Sequence, residues 1–194
     1  MNEETAAMIE YVRATLQESG AHGFDHTLRV VRLCEEIGAR EGADMGVLIP
    51  AAIFHDIARP LEEKTGVPHE EEGARMAAAY LESVRYPAGR IAGIVHAIRA
   101  HRYSSGIDPE TLEARVLSDA DKLDAMGAVG IARTFMQSGE KAGGIADATA
   151  HIHEKLLNLK GLMYMESSRE IAEKRHALLV AFLAALEDEC APGR

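Results

Sequence analysis

At 194 residues, 47% of them hydrophobic, the chain carries enough apolar material for one buried core, and its length calls for no second domain. A formal net charge of −10 argues against a broad nucleic-acid or anionic-membrane surface, which is built from clustered Lys and Arg, and directs attention to a small-molecule partner. With no Trp, 5% aromatics and few runs of β-branched residues, the composition favours helices, and an all-α fold is expected.

Apolar residues at three- and four-residue spacing predict helices over 3–18, 26–41, 44–58, 69–85, 87–101, 109–125, 126–137, 146–160 and 168–189. The first stretch is acidic and amphipathic, unlike a basic leader, and no apolar run reaches the roughly 20 residues of a membrane span, so a cytoplasmic protein is expected. Gly20 and Gly23 separate the first two helices, Asp44 offers an N-cap to the third and Pro60 stops it, and Asp108-Pro109 opens the sixth. Gly66 to Pro68, Ser104 to Gly106 and "SGEKAGG" at 138–144 read as loops. Cys34 falls in a helical pattern and Cys190 in the tail, a spacing that suits neither a thiolate metal site nor a disulfide framework. The last helix has apolar positions 171, 172, 178, 179, 182, 183 and 186 and is expected to pack on the core.

One stretch conflicts with simple burial. "AAIFHDIARP", residues 51–60, sets His55 and Asp56 among buried hydrocarbon, and a buried carboxylate costs several kcal/mol unless a counter-ion or a dense hydrogen-bond set is near. His26 in "HGFDHTLRVVRL" and Asp121 in "LSDADKLDAMGAVGIAR" stand in similar places, at helix ends where side chains from separate helices can converge. Two imidazoles and two carboxylates form a mixed N/O donor set suited to Mn²⁺, Fe²⁺, Ni²⁺, Co²⁺, Mg²⁺ or Zn²⁺, with Mn²⁺ favoured, and the lack of thiolates disfavours a structural zinc site.

His26, the pair His55-Asp56 some thirty residues later, and Asp121 resemble in order and spacing the HD superfamily of metal-dependent phosphohydrolases, in particular the bacterial HD-domain hydrolases of nucleotides. "AIRAHRYSSG" and "HIHEKLLNLKGLMYMESSREIAEKRH" extend the resemblance over about residues 20–185. It implies a single helical domain over 1–194, with an HD metal-binding core at about 20–130 and C-terminal helices at about 145–190 packed on it. It also implies a divalent ion held by His26, His55, Asp56 and Asp121, a phosphorylated substrate that is a nucleotide, and cleavage of a phosphoester or phosphoanhydride bond, pyrophosphate release from a nucleoside triphosphate included. Alarmone hydrolases and some 5′-nucleotidases of the superfamily have an acidic residue three places after the HD aspartate. This chain has Arg59 there, which counts against both activities.

Lys122, His96 and His101 are the candidates for offsetting charge or protonating a leaving group, and Arg29 and Arg102 for contacting phosphate. His96 and His101 lie about 140° apart on an ideal helix and cannot both face one ion unless the helix ends between them. Asp124 shares a helical face with Asp121 and is expected to orient a ligand or cap the next helix. His69, expected to bond locally at a helix start, permits a second metal, because two-metal members of the superfamily recruit extra histidines before the last aspartate. His151, His153 and His176 are expected at the surface. Two rival functions stay open: an HD-type di-iron oxygenase using His69 and His96, and a nucleotide- or metal-binding module without turnover. A homodimer is compatible with either reading, and loops 102–108 and 138–146 are expected to set substrate specificity.

Overall fold

The computed structural model describes residues 3–16, 23–102 and 106–191, which are helical and contain no strand. The expected break at Gly20, and Ser104 within the expected loop, lie outside these residues. Packing divides the chain into two compact units, Met1–Asp121 and Lys122–Arg194.

The first unit comprises α1 (Glu3–Leu16), α2 (Phe24–Glu41), α3 (Met45–Phe54), α4 (Arg59–Thr65), α5 (His69–Ser83), α6 (Ala88–Ala100) and most of α7 (Leu112–Asp124). Helix α3 is apolar all round and is packed by α1, α2, α5 and α6, the expected environment for a helix without a polar face. Val47, Leu48, Ala51, Ala52, Ile53 and Phe54 are all buried in it. Asp44 caps it as expected, its side chain accepting from the Gly46 N–H at 2.8 Å. Pro50 lies inside this helix and withholds the N–H that would bond the Gly46 carbonyl; the Tyr86 hydroxyl donates to that oxygen at 2.7 Å instead. A hydroxyl from the turn before α6 thus repairs the helix that leads into His55 and Asp56.

Several boundaries differ from the sequence reading; the helix expected over 126–137, for one, runs over Gly127–Glu140 into the stretch read as a loop. Helix α3 ends at Phe54 rather than Ala58: residues 55–58 form a turn, and Pro60, expected to stop a helix, lies in the first turn of α4. Helix α7 starts at Leu112, three residues after Pro109, with Thr111 Oγ1 accepting from the Ala114 N–H at 3.2 Å in the capping role expected of Asp108. The single helix expected over 146–160 is α9 (Ile145–Glu154) followed by a 3₁₀ segment (Leu156–Leu162).

The second unit holds α8 (Gly127–Glu140), α9, the 3₁₀ segment and α10 (Glu166–Cys190). Helix α10 packs on α8 and on the 3₁₀ segment and buries Ala172, Leu179 and Leu183, and Phe135 meets Phe182 edge-on with ring centroids 5.8 Å apart. The glycine-rich turn after α8 borders a notch of about 290 Å³ lined by residues that include Gln137, Lys141, Asp147 and His151. Cys34 is buried, and Cys190, expected in the tail, is exposed as the last residue of α10. No helix of the described residues is long and apolar enough to cross a membrane.

Candidate metal centre

Five helix ends of the first unit deliver the titratable groups. His26 is in the first turn of α2, His55 and Asp56 form the turn after α3, His69 opens α5, His101 directly follows α6, and Asp121 lies in the last turn of α7. His26, His55, Asp56, His69 and His101 are each at most 1% exposed, whereas the Asp121 side chain is 26% exposed and forms the open side of the group.

The contacts fall into two adjoining sets. In the first, His26 Nε2 lies 3.2 Å from His55 Nε2, 3.3 Å from Asp121 Oδ1 and 3.5 Å from Asp56 Oδ2. In the second, Asp56 Oδ1 lies 3.2 Å from His69 Nε2 and 3.6 Å from His101 Nε2, and these two nitrogens are 3.4 Å apart. Asp56 therefore presents one oxygen to each set. Its Oδ1 also accepts from Arg59 Nε at 2.9 Å.

The outer ring nitrogens fix how the imidazoles are used. His55 Nδ1 donates to the Ala52 carbonyl at 2.7 Å and His101 Nδ1 to the Ile98 carbonyl at 2.6 Å, which leaves each Nε2 as a lone pair turned into the cluster. Nitrogen lone pairs packed against carboxylate oxygens repel one another unless a cation lies among them, and an imidazole oriented by its other N–H is the usual form of a metal ligand. The donor atoms of His26, His55 and Asp121 all lie within 4.8 Å of one another, as do those of Asp56, His69 and His101. The residues present fit a divalent ion.

Electrostatics agree. Burial pushes the His55 imidazole down to about 4 against the pull of Asp56, so it is neutral and able to ligate at neutral pH. Burial alone would raise the Asp121 carboxyl, yet its hydrogen bond and charge contact with His26, together with His101 and His55, hold it far below the usual range. At Asp56 burial is likewise outweighed by His55, Arg59 and the other imidazoles, so both carboxylates stay ionised. For His101 the hydrogen bond to Asp56 and the charges of Asp121 and Asp56 overcome burial and raise the imidazole.

The four ligands expected from the sequence are thus brought together, and His69 joins them instead of bonding only locally. His101 lies in the cluster as the C-cap of α6, still in helical conformation with φ −67° and ψ −36°, about 140° round the helix from His96. His96 stays outside: it is half-buried in α6, and its Nε2 accepts from the Glu110 backbone N–H at 3.1 Å. Arg102, expected to meet phosphate, instead bridges Glu62 Oε1 at 3.1 Å and Glu70 Oε2 at 3.5 Å. Arg29 is half-buried one turn after His26. In the second unit Lys122 is 5% exposed, with its ammonium 4.9 Å from the centroid of the Tyr164 ring, a cation–π contact. Asp124, expected to orient a ligand or cap the next helix, accepts from Arg133 at 2.5 Å. Of the three histidines expected at the surface, His153 is exposed and pairs with Glu187 at 2.7 Å, while His151 and His176 are half-buried. Glu62, absent from the sequence reading, accepts from His69 Nδ1 at 2.8 Å; its signal was its place three residues after Arg59 on one short helix.

A helical fold in which a histidine-aspartate turn meets a histidine and an aspartate from other helices defines a class of metal-site proteins. The HD-domain model matches residues 23–126, and the chain belongs to that family. Over 183 residues it is 34% identical to YpgQ of Bacillus subtilis, covering 89% of this chain and 86% of that protein. It superposes on the crystal structure of Bacillus subtilis YpgQ in complex with ADP with a TM-score of 0.82 at 30% identity, covering 97% of this chain and 98% of the other. A predicted HD superfamily hydrolase from an uncultured Thermotogales bacterium gives a TM-score of 0.75 at 32% identity over 96% and 92% of the two chains. Ribonuclease Y of Chloroflexus aurantiacus is 33% identical over 104 residues, which span 54% of this chain and 18% of that protein.

Proposed function

We propose that the protein is a metal-dependent phosphohydrolase that cleaves a phosphoester or phosphoanhydride bond of a nucleotide. The observation that carries this reading is the convergence of His26 Nε2, His55 Nε2 and an Asp121 oxygen, beside Asp56, on the one partly open side of an otherwise buried cluster. The ADP in the YpgQ structure and the ribonuclease likeness support a phosphorylated, nucleotide-like substrate. A divalent ion held by His26, His55, Asp56 and Asp121, with manganese the first to test, would supply an activated water and polarise a phosphoryl oxygen.

The chain's own groups then have definite tasks. The Ala52 carbonyl fixes the His55 tautomer, and Arg59 holds Asp56 ionised and oriented. Arg29, one turn after His26, is the cation offered to phosphate charge, and the bond to the Ile98 carbonyl aims His101 Nε2 at Asp56 Oδ1. Hydrolysis needs no covalent enzyme intermediate.

The test is a release assay on metal-stripped protein resupplied with Mn²⁺, Mg²⁺, Ni²⁺ or Co²⁺ against nucleoside mono-, di- and triphosphates, resolving phosphate from pyrophosphate. Turnover with one metal that disappears in Asp121→Asn is expected. A full rate and retained metal in Asp121→Asn would defeat the assignment. The second cluster, Asp56 with His69 and His101, gives the di-iron oxygenase its footing, and oxygen consumption by iron-loaded protein would favour it. Tight nucleotide binding without product would favour a binding module.

A further inference from the structure

Asp56 divides its two oxygens between the two sets of histidines, and a guanidinium bonds the one that faces His69 and His101. Oδ2 faces His26 and His55 at 3.5 and 3.7 Å, while Oδ1, which faces His69 and His101, accepts from Arg59 Nε at 2.9 Å. Arg59 also approaches Glu62 Oε2 at 3.7 Å, Glu62 accepts from His69 Nδ1, and His69 Nε2 returns to Asp56 Oδ1. Arg59, Asp56, His69 and Glu62 thus close a ring of alternating basic and acidic groups. Pro60 in the first turn of α4 fixes the backbone next to Arg59, and the side chain is only 24% exposed, so the guanidinium is held in place. A divalent ion using Oδ1 would share that oxygen with a fixed positive charge, and two cations a few ångströms apart repel strongly where water is scarce.

From this arrangement we infer that Arg59 is the second cation of the centre: the protein holds one divalent ion, at His26, His55, Asp121 and the Oδ2 side of Asp56, and keeps a guanidinium where Asp56 Oδ1, His69 and His101 would otherwise take another. The inference rests on the metal-dependent reading proposed above and goes beyond it by setting the number of ions.

The experiment is metal stoichiometry by elemental analysis and calorimetry on the full chain, equilibrated with excess Mn²⁺ and desalted. Wild type should retain one ion per chain, His69→Ala also one, Arg59→Gln two, and the Arg59→Gln/His69→Ala double variant one again. Two ions on the wild type, or one on folded Arg59→Gln, overturns the inference and leaves the hydrolase reading standing. Should Arg59→Gln fail to fold, the other two proteins decide: a wild type with two ions that drops to one in His69→Ala refutes it, and one ion in both sustains it. A wild type that retains no ion overturns both this inference and the metal-dependent reading.

Discussion

The two compact units bury polar groups for opposite ends. In Lys122–Arg194 the buried polar side chains close the structure locally: Asp124 meets Arg133, Lys122 lies over Tyr164, and Thr134 Oγ1 donates to the Gly130 carbonyl at 2.8 Å. In Met1–Asp121 the histidines His26, His55, His69 and His101 turn toward one another and toward carboxylates. Burying a polar group is unfavourable by a few kcal/mol unless it is bonded, and packing gains nothing from lone pairs that face each other. The first arrangement serves the fold; the second makes sense only with something bound. Each prediction below attacks that contrast.

The largest effect is expected at His55. His55→Ala should lower hydrolysis by more than the roughly 100-fold that loss of an outer partner of a metal ligand can cost, and should release the ion, with helicity by circular dichroism retained. An alanine variant that keeps ion and rate would mean that the histidine cluster is ordinary core. The counterpart in the other unit is Arg133→Ala, which removes the guanidinium beside an Asp124 that is 1% exposed. It should lose about 3 kcal/mol of stability, read as a fall in Tm of roughly 10 °C, while metal content stays unchanged. If Arg133→Ala instead loses metal, buried charge in the second unit is not merely structural and the contrast breaks.

Glu62→Gln sharpens the comparison within the first unit. It removes the carboxylate that holds His69 Nδ1–H and accepts from Arg102, yet Glu62 is itself a quarter exposed. Activity should fall about 10-fold with little change in Tm, since outer partners tune a metal site more than they hold the fold. A Tm loss matching that of Arg133→Ala, with kcat unchanged, would move Glu62 to the structural side.

Much of this was legible because periodicity survives folding. The apolar rhythm of α2, α5 and α10 predicted helices close to those observed, and His26, His55, Asp56 and Asp121 could be named because an apolar neighbourhood makes each of them conspicuous. What the sequence concealed depends on where helices stop. Whether His96 or His101 enters the cluster turns on which face α6 presents to it, and Pro60 reads equally well as a stop for α3 or a start for α4. Glu62 and the pairing of Arg102 were invisible because a carboxylate three residues from an arginine looks like any solvated surface pair until the fold brings His69 against it.

The smallest effect tests strain that has no part in the metal centre. Ala142, in the turn after α8, adopts φ 58°, the left-handed conformation that glycine takes at little cost, although two glycines follow it directly. Gly143 cannot trade places with it freely, because a Cβ there would come within 2.7 Å of Ser138 Oγ. Ala142→Gly should therefore stabilise the protein by about 0.5–1 kcal/mol, a rise in Tm of about 2 °C, because relief of the strained φ exceeds the entropy that glycine adds to the unfolded chain. Metal content and rate should not move if the second unit's polar and strained positions serve only the fold. A more stable variant with a raised KM for nucleotide would instead show that the loop over 138–146 shapes substrate specificity, as expected from the sequence, and that its strain is retained for binding.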